Sequence, residues 1–317
     1  MSLPAAAPVA LQVNVMQFVV NGLVFSSIIV LAAIGLSLVY SIADFANFAH
    51  GDLMTVGAFG ALASAGVLQA TVPGAVFGLP VWVFVALLAG MAAAAVVAVA
   101  TNRFVYKPLD AGSVELLITS IGVALAYRAL VFIFFGTDAQ RYGVERSGPI
   151  PAVRETLGVA VTPRKLAIFV LALVFVAALH VLLQYTTLGR KMRATADNPN
   201  LARVSGIRTS EVILAMWIIG GALAAAGGVF LGLETLVRPR MGFDILLVVF
   251  AAVILGGIGS VYGAMLGSFV IGMVHELTPL LTFVGIPIGT EYAPAVAFLM
   301  MVVILLVRPR GIMGEAV

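Results

Sequence analysis

The chain has 317 residues, of which 62% are apolar and 10% charged, and its formal net charge is +3. Its 17 basic and 14 acidic side chains are too few for a soluble protein of this size, in which about a quarter of residues are charged. That balance excludes a soluble enzyme, a nucleic-acid binder and a disordered chain, and the lack of Cys excludes disulfides, thiol catalysis and Cys-ligated metals.

Runs of about 20 apolar residues recur along the chain, and no ten-residue alternation of the kind a membrane barrel needs is present. The expected fold is an all-α polytopic membrane protein, a single transmembrane domain over 1–317. The first 16 residues carry no Lys or Arg, so they lack the charged start of a cleavable signal peptide. The apolar runs predict helices over roughly 17–40, 53–70, 79–100, 115–136, 166–185, 211–233, 245–259, 262–283 and 291–307. The run at 245–259 is short and glycine-rich, and a re-entrant segment is one reading of it. The count is therefore eight or nine.

Between the first two runs lie Asp44, Asn47, His50 and Asp52, four polar residues in nine positions. Asn47 and His50 are three apart, as are Phe45 and Phe48, so a short helix would sort them into a polar and an aromatic face. Polar groups at membrane depth face a cavity or one another. A solvated interfacial loop is the alternative. Gly51 could break the helix near a transport path.

Arg128 lies inside the fourth run, His180 near the end of the fifth, and His275 and Glu276 inside the eighth. Ionisable residues at such depth are functional candidates, although a structural pair such as Arg128 with Glu276 explains them equally. The segment 186–210 carries Arg190, Lys191, Arg193, Arg203 and Arg208 against Asp197, and the tail carries Arg308 and Arg310 against Glu315. The positive-inside rule puts both on the cytoplasmic side. With nine spans the N-terminus is outside. Within 186–210, Asp197 or Asn198 is a cap, Pro199 a first-turn residue and Gly206 a stop, which predicts a two-turn helix at 199–205.

Glycines at 220, 221, 227, 228 and 232, and at 259, 263 and 267, suit close helix packing. The stretch Gly256-Gly257-Ile-Gly259-Ser260 breaks a helix, and broken helices line cavities in transporters. Lys107, Lys165 and Lys191 are the only lysines, and none follows Gly, so no Walker A loop exists and ATP must be handled by another chain. The three histidines have no metal-ligand spacing and no nucleophile–base pair is evident. The chain thus reads as a non-enzyme without cofactor or metal.

Three stretches carry a family resemblance: GLSLVYSIADFANFAHGDLMTVGAF, LGRKMRATADNPNLARVSGI, and LGGIGSVYGAMLGSFVIG with the terminal RPRGIMG. Over roughly 17–310 the chain resembles the LivH-type permease subunit of branched-chain amino acid ABC importers. Asp52 stands where Glu is commoner in that family, and Ser41-Ile-Ala replaces a more usual Gly. The resemblance implies a plasma-membrane (inner-membrane) transport subunit. Its partners would be a LivM-like second permease, two cytoplasmic ATPase subunits and an external substrate-binding protein. It implies ATPase coupling through Ala196, Asp197, Asn198, Pro199, Asn200, Leu201 and Gly206. The expected path takes in Asn47, His50, Phe45 and Phe48, with Gly256, Gly257, Gly259 and Ser260. Close relatives carry urea or short amides, which leaves those substrates as alternatives. A passive channel would share the composition and would not need the 199–205 helix.

Overall fold

The computed structural model describes residues 14–76, 78–145, 147–284 and 289–314. Residues 1–13, most of the cation-free N-terminal stretch, and Glu315 of the tail lie outside the described residues. Every predicted apolar run holds a helix. Among the described residues, seven helices are long and apolar enough to cross a membrane, and two apolar helices are shorter. Among the described residues the strands amount to one two-residue hairpin, β1 (Ala75–Val76) with β2 (Leu79–Pro80).

The helices are α1 (Val15–Ala43), α2 (Ala49–Thr71), α3 (Val81–Leu109), α4 (Ser113–Phe135), α5 (Pro151–Leu157), α6 (Pro163–Tyr185), α7 (Thr187–Asp197), α8 (Pro199–Val204), α9 (Thr209–Glu234), α10 (Met241–Gly256), α11 (Val261–Leu277) and α12 (Ala293–Val307). α3 contains one π-helical turn at Asn102–Tyr106. The basic α7 and α8 mark one end of the bundle. At the opposite end Lys165 and Arg164 face Glu234, with Lys165 Nζ 3.5 Å from its carboxylate.

α1 and α9 are the central pair and cross where Gly35 meets Gly220. They run in opposite senses, since α1 ends at the basic end and α9 starts there. Each leads into a shorter partner, α2 or α10. α3 then packs on α2 as α11 packs on α10, and α4 and α12 lie outside them. The two quartets interlock, because α1 packs on α11 and α9 on α3. The result is two four-helix halves of inverted direction, with α5 to α8 between them.

The inversion puts two helix starts in the middle of the bundle. His50 Nε2 donates to the Ala32 carbonyl oxygen at 2.9 Å. Ala32 is 11 residues before the end of α1, about 17 Å at 1.5 Å per residue, so α2 begins at mid-depth. The chain reaches that depth through 44–48. α10 begins beside it, Gly51 against Gly242, reached from the opposite end through 235–240. α10 then runs to the basic end, so 241–256 completes a crossing and does not return. There the tail caps it: Ile312 N–H donates to the Leu255 carbonyl and Met313 N–H to that of Gly256, at 2.8 and 2.9 Å. These bonds satisfy carbonyls that a helix end leaves free.

Candidate functional site

The N-F-A-H-G stretch forms the mid-depth junction. α1 stops at Asp44, which is left-handed (φ 55°) and donates its N–H to the Tyr40 carbonyl. The chain from 44 to 48 is an irregular connection where a short helix was the expectation. The reason is distance: an open connection between Asp44 and Phe48 climbs the roughly 17 Å that a helical turn of the same length cannot. Phe45 and Asn47 are both buried, while Ala46 and Phe48 stay partly exposed. Phe45 packs on Tyr106 and Trp217, with ring centroids 5.2 and 6.4 Å away. Phe48 packs on Phe250 of α10 at 4.9 Å.

Asn47 caps α2. Its Oδ1 accepts from Ala49 N–H at 3.1 Å and from the Tyr106 hydroxyl at 3.3 Å. The Phe48 N–H donates to Ser120 Oγ at 2.9 Å. On α10 the Gly242 N–H finds Thr55 Oγ1 at 3.0 Å. Both mid-depth helix starts thus have backbone donors satisfied by side chains of neighbouring elements, as an environment without water demands.

One turn into α2, Asp52 accepts a two-pronged bond from Arg128 of α4, Nε to Oδ1 at 3.1 Å and Nη2 to Oδ2 at 2.9 Å. Asp52 is 1% exposed. Arg128 therefore has Asp52 as its partner and not Glu276, which instead faces His275 at 3.3 Å. His275 stacks on Phe25 at 4.3 Å, far along the chain from this junction. His180 meets the Tyr262 hydroxyl at 2.9 Å. The Arg128 guanidinium also sits over the Phe243 ring, 4.3 Å from its centroid, and that of Arg240 is 5.9 Å away.

The second cluster lies at the basic end. Gly257 (φ 110°) and Gly259 (φ 83°) make the turn between α10 and α11, a conformation that a side chain resists, and Ser260 Oγ caps α11 by accepting from Gly263 N–H at 3.0 Å. The stretch 256–260 thus ends one helix and starts the next. Gly259 and Ser260 share a crevice of ≈ 510 Å³ with Ser41, Asp44, Arg193, Ala196 and Asp197. Arg193 reaches back to the Leu183 carbonyl and so ties α7 to the end of α6. α8 forms as its capping signals dictate. Asn198 Oδ1 accepts from Leu201 N–H at 2.9 Å, Pro199 opens the helix, and Gly206 (φ 83°) ends it with Ile207 N–H bonded to the Ala202 carbonyl at 3.0 Å. Asn200 and Leu201 on this helix are exposed.

The sequence was compared with known families and proteins. Residues 18–305 match the family described as branched-chain amino acid transport system / permease component. The chain belongs to this permease family. It is 30% identical over 308 residues to the high-affinity branched-chain amino acid transport system permease protein LivH of Escherichia coli, covering 95% of this chain and 96% of that one. It is similar, again at 30% identity, to the BraD permease protein of the corresponding system in Pseudomonas aeruginosa, with 95% and 96% coverage. A probable branched-chain amino acid permease LivH of Methanocaldococcus jannaschii is 28% identical over 93% of this chain and 91% of that one.

Two charged groups of this LivH-type permease escaped the reading from sequence. Arg240 and Asp244 fall between the apolar runs predicted at 211–233 and 245–259, but they belong to the start of α10 and are exposed at or near mid-depth. The signal was the four-residue step from Arg240 to Asp244, with Phe243 and Leu247 continuing the same face.

Proposed function

We propose that the chain is the transmembrane subunit of an ATP-driven importer of branched-chain, aliphatic amino acids. The observation that carries this reading is similarity along nearly the whole chain to permeases of branched-chain amino acid transport systems. On this reading the basic end is cytoplasmic, in line with the positive-inside rule, and the C-terminus lies inside. ATP would be hydrolysed by two separate ATPase subunits. A LivM-like second permease would complete the membrane pore, and an external binding protein would deliver the substrate.

α7 and α8 suit a docking surface. Leu201 and Val204, three residues apart, are 63% and 87% exposed, which is unfavourable in water and suits a protein partner. Ala196, Asp197, Asn198, Pro199, Asn200 and Gly206 frame that face. Movement of α7 would pass to α6 through Arg193 and to the α10–α11 turn through the crevice they share. The wall of the path would be made by Phe48 and Ala46. Asn47, His50 and Phe45 would hold that wall from behind, and Gly256, Gly257, Gly259 and Ser260 would border its inner end.

The test is reconstitution of the permease with its second permease, ATPases and binding protein in vesicles, with ATP on the ATPase side. Labelled leucine should accumulate only when ATP and every component are present. Accumulation that survives ATP depletion would make the protein a passive channel.

A further inference from the structure

The start of α10 carries more charge than helix packing needs. One face of the helix, with Ile245, Val248, Val249 and Ala252, is buried. The other face places Arg240, Phe243, Asp244 and Leu247 one turn apart, all exposed, Phe243 at 42% and Leu247 at 55%. Charged groups at this depth are costly against hydrocarbon and belong beside a water-filled or protein-lined space. Such a space is present: a cleft of ≈ 400 Å³ lined by Arg238, Arg240 and Asp244 together with Phe132 and Thr137.

The charges around this cleft divide into two groups. Arg128 is taken up by Asp52 in a two-pronged bond. Among the described residues, the side chains of Arg240 and Asp244 take part in no hydrogen bond or ion pair; both feel the Asp52 carboxylate electrostatically, and Arg240 also has the Phe243 ring at 5.9 Å. Two opposite charges without a hydrogen-bonded partner thus stand one helical turn apart, with Cβ atoms about 5–6 Å from each other. An α-amino acid carries the complementary carboxylate and ammonium on a single carbon atom.

We propose that Arg240 and Asp244 form a transient subsite for the zwitterionic head of the transported amino acid, Arg240 with the carboxylate and Asp244 with the ammonium. The assignment rests on the amino-acid transport reading above and says which residues receive the substrate. Arg238 adds a second cation at the rim. Phe132, with Ala139 and Pro239, makes the apolar side of the cleft. The site is open and has one residue per charge, so it holds the substrate weakly and lets it pass.

The test uses the complete importer in vesicles, with leucine uptake expressed per assembled complex. Arg240→Gln and Asp244→Asn should each lower uptake about tenfold, the effect of losing one charge-assisted contact. Arg240→Lys, which keeps the charge, should recover most of it. Arg154→Gln, a cation outside the cleft, should leave uptake at the wild-type rate. Wild-type uptake in both Arg240→Gln and Asp244→Asn would overturn the subsite. So would a fall explained wholly by loss of assembled complex, or failure of Arg240→Lys to recover more than Arg240→Gln. If the wild-type importer takes up no leucine, the transport reading itself fails and the subsite falls with it.

Discussion

Gly51 and Gly242 are the closest backbone approach at the mid-depth junction. A Cβ on Gly51 would lie 2.6 Å from the Gly242 carbonyl oxygen, and one on Gly242 would run directly into that of Gly51. Backbone cannot yield as a flexible side chain can, so Gly242→Ala should destabilise by about 1–3 kcal/mol, read as a lower Tm in detergent. At Gly66 on α2 an added methyl group would meet nothing within 4 Å, and Gly66→Ala should leave Tm unchanged or raise it. The Asp52–Arg128 pair makes a second prediction at this scale. Asp52→Asn leaves a buried guanidinium without its counter-charge, which costs about 3–5 kcal/mol. Replacing both residues with apolar ones of similar size should recover most of that loss, and a double variant as unstable as the single would contradict the pairing. The sequence displayed Asp52 and Arg128 as isolated polar residues, yet nothing local joins two residues 76 apart. Asn47 and His50 were legible as unusual. Their orientation was not, because it depends on where α1 stops and α2 starts and on contacts with Tyr106 and Ala32, which are remote in sequence.

Among the elements, α8 was the most legible, since its cap, first-turn proline and terminal glycine are all local signals. Replacing Asn198-Pro199-Asn200 by three glycines removes the cap and loosens the helix. ATP hydrolysis should continue in the assembled importer while leucine uptake falls by about an order of magnitude or more, the result expected when docking energy no longer drives the permease. Normal uptake would exclude α8 as the coupling element. Leu201→Asp with Val204→Asp is a sharper probe. Both side chains are exposed, so Tm of the isolated permease should hold, whereas co-purification with the ATPases should be lost. The start of α10 was the least legible element. Charged residues next to Pro239 look like a surface connection, and only the burial of Val237 and the Gly51 contact carry that segment to mid-depth.

For the whole molecule, nine apolar runs were visible from composition and length alone. The inverted arrangement of its two halves was not, because it consists of packing between α1 and α11 and between α9 and α3, elements far apart in sequence. That arrangement gives the charged α10 start its position, and it explains why the tail RPRGIMG matters: its backbone closes the end of α10. Deleting 311–317 should expose the Leu255 and Gly256 carbonyls and destabilise the protein by about 1–3 kcal/mol per group left unsatisfied, read as a lower Tm. The most direct measurement for the transport reading is competition in vesicles holding the complete importer. Uptake of labelled leucine should depend on ATP, fall with excess isoleucine or valine, and ignore excess urea. ATP-driven urea uptake that excess leucine leaves unchanged would contradict the amino-acid assignment.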